Sequence, residues 1–457
     1  MIPASDWLHI SWVAGTIFAL MAGAELWFVL GKPPVEYTRK LVHLGSGFVS
    51  LSFGFLFSSH WSVLILCILF VALMLATRSL GFLKAVHAIR RNSYGVLYFP
   101  LATYLTFLLS WLAGKPLFYF IAIAVLSTSD TIAALVGGRY GFNQYQTEGD
   151  RKSLEGSAMF FLSCYLIVHV TLLLGTDISR INSVLAAFWV ALLATLFEAI
   201  SIRGADNFWI PLGTFYLLLK ITHKSTSVIL TDLTALAASV VISLLVLLPK
   251  RKLEHTAIAG IGLLLYSSSR LLEWNWGIPV LTAMLLFNFS GLLREKHLER
   301  KIQIRVVLYS LGAAAIWVVV GNLIPARYEY IKVLPFLTTL GAMLSIGWGF
   351  IRNRVYPETP WALTALKYTC FRTLWMTVLL FMPQLFFYSQ LRRPVPLLLY
   401  MAGIFLADRI TATWLFYTNP NRTPIGKMRI AFFVTLTVAN TVFFVYGRFI
   451  SEIAELM

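Results

Sequence analysis

Long apolar stretches alternate with short loops of charged, Pro or Gly residues along the whole chain. Crossing the hydrocarbon core of a bilayer takes a helix of about 20 mainly apolar residues. The pattern predicts spans near 9–31, 41–58, 60–80, 94–114, 116–138, 154–175, 181–200, 208–223, 226–248, 254–272, 277–293, 304–324, 331–351, 362–388, 394–416 and 430–450. The expected fold class is therefore all-α, a polytopic membrane helical bundle of about 16 transmembrane helices. The first stretch reads as a retained span rather than a cleaved leader. No base precedes it, Glu25 lies within it and Lys32 follows it.

Composition narrows the picture. Of 457 residues, 58% are hydrophobic and 12% charged, against about 25% charged in soluble domains. A soluble enzyme and a secreted disulfide scaffold are both excluded. The net charge of +17 could suggest nucleic acid, but a many-span protein accumulates bases on its cytoplasmic side. With the N-terminus outside and loops alternating, 24 of the 37 bases fall in cytoplasmic loops and ten in outer segments. Lys367, Arg372 and Arg409 lie within or beside spans. The expectation is an even span count, both termini outside, the cell (inner) membrane as location, and no nucleic-acid partner. Cys67, Cys164 and Cys370 sit in apolar runs without a CxxC, so neither structural zinc nor disulfides are expected. A basic loop around 250–255 divides the chain into 1–250, whose loops carry mixed polar motifs, and 255–457, whose spans are plainer.

An ionisable group inside a span costs about 2.5–3.5 kcal/mol on the insertion scale and asks for a reason. The acids in question are Glu25, Asp130, Glu198, Asp232 and Asp408. On the expected topology Glu25, Asp130 and Glu198 converge on the cytoplasmic side. Asp130, Gly137 and Gly141 recur at helical spacing. Small-residue helix packing accounts for the glycines, but not for Asp130 beside Ser127, Thr128 and Ser129. The alternative is a flat face that lets phosphate or metal approach, with Asp130 giving oxygen ligands to Mg²⁺.

Arg151-Lys152-Ser153-Leu154-Glu155-Gly156-Ser157 leads into the sixth span. Lys152 and Ser153 at a helix start suit an anion; Ser153, Glu155 and Gly156 also suit a plain helix cap. It is no Walker A loop, because each Gly-Lys pair precedes Pro or Met. Glu198 lies inside a span ahead of Arg203, Asp206 and Asn207, whose Gly-Ala-Asp-Asn is also good turn chemistry. Arg39 and His43 share a helix face with Lys40 beside them, a candidate phosphate contact. Arg90-Arg91-Asn-Ser-Tyr94-Gly95 is a weaker cluster. In the second half, Asp408-Arg409 reads as a buried pair or polar glue between helices, and Asn419-Pro-Asn-Arg-Thr-Pro lies in the following loop.

Taken in order, these motifs resemble a known family. They are Arg39-Lys40-x-x-His43, Tyr94-Gly95 with Tyr98-Phe99-Pro100, and Asp130-x-x-Ala133-x-x-x-Gly137-x-x-x-Gly141, then Lys152-Ser-x-Glu155-Gly156-Ser157 and Glu198…Asp206-Asn207…Pro211. The set, over about residues 25–225, is similar to the membrane lipid kinases that include dolichol kinase, phytol kinase and the CTP-dependent diacylglycerol kinase. Phosphatidate cytidylyltransferases are more distant. The resemblance implies CTP, or sometimes UTP, as phosphoryl donor, with Mg²⁺ and a lipid alcohol as acceptor. By motif, Lys152, Ser153 and Gly156 would belong to the nucleotide-binding loop; Asp130, Gly137 and Gly141 would line the nucleotide or metal site; Glu198, Asp206 and Asn207 would complete the polar centre.

Phosphoryl transfer needs positioning, metal charge and cations on the phosphates. The expectation is that Asp130 and Asp206 hold Mg²⁺, that Lys152, Arg39 and Arg139 neutralise phosphate, and that Glu198 accepts the alcohol proton. Asp130 and Glu198 could exchange roles. The Gly-Ala-Asp-Asn-Phe-Trp-Ile-Pro run departs from the cytidylyltransferase signature and favours the kinase branch. CDP-lipid synthesis and secondary transport stand as alternatives. The lipid alcohol and assembly as a homo-oligomer are left open, and residues 255–457 match nothing nameable.

Overall fold

A run of Leu, Ile, Val, Phe and Ala in a bilayer has no water to satisfy its backbone and closes as a helix. Within the described residues, each of the sixteen apolar stretches lies largely on helix. The computed structural model describes residues 2–87, 94–147, 150–248, 253–289, 304–324, 329–355, 361–418 and 424–456. Arg90 and Arg91, the basic loop at 250–252, the bases at 294–301 and the Asn419–Arg422 loop lie outside the described residues. Ten described helices are long and apolar enough to cross a membrane, among them Ala4–Gly31, Leu154–Gly175 and Thr226–Leu247. The other stretches fall below that mark within the described residues. All three cysteines are free.

Two compact units divide the chain, Met1–Leu233 and Thr234–Met457. The first begins with α1 (Ala4–Gly31), α2 (Val35–Leu51), α3 (His60–Ser79), the short α4 (Lys84–His87) and α5 (Gly95–Ala113). Next, α6 (Pro116–Ala124) runs through a widened π turn, Val125–Ser129, into α7 (Asp130–Tyr140). An antiparallel hairpin follows, β1 (Gln144–Thr147) with β2 (Asp150–Ser153), its register pairing Tyr145 with Lys152. Then come α8 (Leu154–Gly175), α9 (Arg180–Ile200), α10 (Asp206–Ile221) and the start of α11 (Thr226–Leu247), which continues into the second unit. The hairpin stands where a loop was expected; its short polar strands carry too few residues to show an alternating pattern.

Helix contacts in a membrane gain packing rather than dehydration. Val13, Val63, Leu66, Phe107 and Tyr119 interlock in one cluster, and Met21, Val42, Met74 and Val86 in a second. Trp12, Phe18, Leu30, Phe55 and Leu174 are exposed instead, as a lipid-facing surface requires. Two of the span acids are structural. Glu25 accepts a hydrogen bond from the Ala85 N–H at 2.8 Å, and Thr38 donates to the Ala85 carbonyl at 2.9 Å, pinning α4 to α1 and α2. Asp232 is paired with Lys224 at 2.6 Å.

In the second unit α12 (His255–Leu271), α13 (Gly277–Phe289), α14 (Ile304–Leu323), α15 (Glu329–Val355), α16 (Trp361–Met376), α17 (Pro394–Thr418) and α18 (Pro424–Leu456) follow in order. Its buried carboxylate Asp408 is polar glue between helices, one of the two readings of the Asp408-Arg409 motif. Asp408 is bound by Arg372 at 2.8 and 2.9 Å and by Ser345 at 2.5 Å and Thr369 at 3.0 Å, not by Arg409. Adjacent residues on a helix point in different directions, so the partner comes from another helix.

Candidate active site

Five segments of the first unit bring their charged residues together. On α2, Arg39, Lys40 and His43 occupy one turn. The π turn of Val125–Ser129 approaches that helix closely; a Cβ on Gly47 would lie only 2.1 Å from the Cβ of Ser127. The approach sets Asp130 against α2, where Lys40 Nζ lies 2.5 Å from Oδ2 and also donates to the Asp130 carbonyl at 3.1 Å. His43 Nε2 lies 3.3 Å from the same Oδ2 and 3.2 Å from the Leu126 carbonyl. Both neighbours are acceptors, so this nitrogen carries the hydrogen.

A second ion-pair centre faces the first. Lys152, delivered by β2, lies 2.7 Å from Glu198 Oε1 on α9 and 3.7 Å from Asp206 Oδ2 at the start of α10. It also donates to the Glu198 carbonyl. Ser157 donates to Glu198 Oε2 at 3.2 Å and shares a 2.7 Å bond with the Tyr145 hydroxyl. Burial alone would lower the Lys152 ammonium, but Glu198 and Asp206 outweigh it and hold it above its ordinary value. Tyr145 is pushed up to about 12, by burial first and then by the Glu198 charge. Lys152 is thus a permanent cation near neutrality.

Both centres line one cavity of about 310 Å³. Its charged lining comprises Glu36, Asp130, Glu198 and Asp206 against Arg39, Lys40, Arg151 and Lys152, four of each sign. Gly137, Ser153, Gly156 and Asn207 also line it. Four expected site residues do not line it. Arg139 lies over the Tyr140 ring, 5.4 Å from its centroid. Gly141 packs beside Ser153, where a Cβ would lie 2.6 Å from that side chain. Glu155 binds Asn143, taking its backbone N–H at 3.1 Å and side-chain amide at 3.0 Å. His43 lines a different, neighbouring cavity. Conversely Glu36, Tyr145 and Ser157 join the site without being singled out. Ser157 stood inside the quoted motif, and Glu36 lies one turn before Arg39; nothing marks Tyr145 in the sequence.

Ser153 and the glycines turn out to be both packing and lining. Ser153 Oγ accepts the Gly156 N–H at 3.1 Å, the N-cap geometry of α8. Gly156 lies so close to α7 that a Cβ would be 2.9 Å from the Ala133 carbonyl and 3.2 Å from the Gly137 Cα. These are backbone atoms that cannot rotate away. Gly156→Ala is therefore expected to force α7 and α8 apart and lower thermal stability by about 1–3 kcal/mol; an unchanged melting temperature in detergent would contradict that packing.

Among the described residues no three His, Cys, Asp or Glu side chains form a metal cage. Asp130 and Asp206 nevertheless line the same cavity, and hard Mg²⁺ is commonly held by one or two carboxylates plus substrate phosphates. The pair fits a cation that arrives with a polyphosphate.

No family model matches the chain, and no solved structure matches it. Among curated proteins, the chain is 33% identical to a phytol kinase of Synechocystis sp. over 208 residues, 46% of this chain and 89% of the relative.

Proposed function

The chain belongs to the polyprenol/phytol kinase-like family, and from that premise we propose that it transfers the γ-phosphoryl group of CTP, or UTP, to the hydroxyl of an isoprenoid alcohol of the phytol, polyprenol or dolichol type. The observation that carries this reading is the cavity of about 310 Å³ in which four acids and four bases meet. Phosphoryl transfer is served by positioned charge more than by covalent chemistry, and this lining is positioned charge with little else.

Lys40, Arg39 and Lys152 take the phosphate oxygens, exchanging their carboxylate partners for them. Asp130 and Asp206, so released, would hold Mg²⁺, which would supply positive charge to the phosphates. Glu198 accepts the proton as the alcohol oxygen bonds to the γ-phosphorus and the β–γ bridge breaks, leaving CDP and the lipid phosphate. Ser153, Gly156, Gly137 and Asn207 shape the wall. Arg139, Gly141 and Glu155 serve the same region from outside the cavity. On the positive-inside argument the site opens to the cytoplasm from the inner membrane, in a bundle of sixteen spans with both termini outside.

The test is incubation of the purified protein with γ-labelled CTP or UTP, Mg²⁺ and, in turn, phytol, a polyprenol and diacylglycerol. Label is expected in an isoprenoid alcohol. Release of pyrophosphate with formation of a CDP-lipid overturns the kinase reading in favour of a cytidylyltransferase.

We assign catalysis to residues 1–250, because the charged cavity lies wholly within the first unit. The Synechocystis relative matches along 89% of its own length with under half of this chain. A protein truncated after residue 250 is expected to keep label transfer within about tenfold of the full chain, about 1.4 kcal/mol of barrier. Complete loss in a truncated protein that still melts cooperatively would place a required group in the second unit.

A further inference from the structure

Beside the charged cavity lies an apolar one of about 260 Å³. Arg39 and Asn207 line both. Apart from that shared edge the wall is mainly apolar, with Val42 of α2, Phe70 and Met74 of α3 and Phe99 of α5, and it also includes Arg78 and His87. A further small space of about 20 Å³ shares Ser46, Phe70 and Phe99 with this cavity and reaches Ile17, Leu66 and Pro100. Three spaces are thus joined in series through common walls, charged at one end and apolar at the other. The ring of His43 stands in the apolar cavity edge to face with Phe99, centroids 5.2 Å apart.

We propose that the two apolar spaces form the slot for the hydrocarbon tail of a single-chain alcohol, whose hydroxyl rests at the Arg39–Asn207 edge. This rests on the kinase reading and names its acceptor class. An amphiphile with one polar end matches a cavity whose wall carries Arg39 and Asn207 where it meets the charged cavity and is mainly apolar elsewhere, with Arg78 and His87 also lining it. Small-molecule cavities of about 300–1,000 Å³ take one ligand of modest size. A slot of about 260 Å³, with a smaller space of about 20 Å³ beside Phe70 and Phe99, takes the hydroxyl-bearing end of a single tail. Phe70 lines both spaces together with Ser46 and Phe99, so its ring is the largest group that can be trimmed there without touching His43, which packs on Phe99.

The slot predicts chain-length selectivity. Phe70→Ala trims the wall common to the two spaces and is expected to move the preference along the series geraniol, farnesol, geranylgeraniol towards longer alcohols. The relative change in kcat/KM is expected to be about 10- to 200-fold, the range for a fit altered by a small group in an apolar site. Leu75→Trp, at a lining residue on the exposed face of α3, is expected to shift it the other way. Neither is expected to change the KM for nucleotide.

Photolabelling of the wild-type full chain by a prenol bearing a diazirine on its tail provides a readout independent of turnover. Adducts are expected on α2, α3 and α5, displaced by phytol and not by diacylglycerol. Adducts elsewhere overturn the proposal. So do adducts displaced equally by phospholipid, which would make the cavity a resting place for a bilayer acyl chain, or a chain-length profile that both variants leave unchanged. Adducts as expected with no alcohol phosphorylated would support the slot and sink the kinase reading instead.

Discussion

Lys152→Ala is expected to lower phosphoryl transfer by at least about 10²–10³-fold, the usual result of removing one group aimed at developing charge. Lys152 Nζ stands 2.7 Å from Glu198 and 3.7 Å from Asp206, so its loss would remove the proposed phosphate ligand and leave two carboxylates without their shared cation. Breaking a buried pair from one side also destabilises, by about 3–5 kcal/mol. Lys152→Ala combined with Glu198→Gln separates the two effects. The double variant removes both charges and is expected to melt in detergent near the wild-type temperature while remaining inactive. Recovery of activity along with stability would make Lys152 a structural residue. Lys152→Arg is expected to retain only part of the activity, since a planar fork does not replace a compact point charge.

Asp130→Asn is expected to have the second large effect, a loss of about 10²-fold or more, with a raised requirement for Mg²⁺. The substitution keeps side-chain shape and a carbonyl oxygen, and it removes the charge that holds Lys40 at 2.5 Å and His43 at 3.3 Å. Membrane insertion should be unaffected, because a neutral amide costs less in a span than a carboxylate. Label transfer measured against Mg²⁺ concentration decides it. Turnover near wild type at ordinary Mg²⁺ would remove Asp130 from the site.

The helices were legible because a span is long and its apolar pattern continuous. So were the site's main charges, because Asp130 and Glu198 are conspicuous inside apolar runs. Their partners were not legible. Lys40 meets Asp130 across 90 positions and Lys152 meets Glu198 across 46, and such pairings follow from helix packing that residue spacing does not encode. Arg139 and Glu155 sat in the right motifs and point elsewhere, since a motif selects a segment while helix rotation selects the side chain that faces the cavity. The hairpin escaped notice for want of length, and with it Tyr145, which comes opposite Lys152 only through strand register. Asp408 shows the same limit in the second unit, its arginine arriving from 36 positions away.

The two facing ion pairs also bear on how the protein is made. Asp130 and Glu198 each lie in a candidate span, where a bare carboxylate in lipid costs about 2.5–3.5 kcal/mol. The compensating lysines reside on other elements, Lys40 on α2 and Lys152 on β2. Both helices are apolar enough to span with their acids in place, and the contacts of α2 with α7 and of the hairpin with α9 relieve that cost on packing. The charges that line the cavity therefore also compensate one another across helices, so that each acid meets its cation only once the first unit has packed.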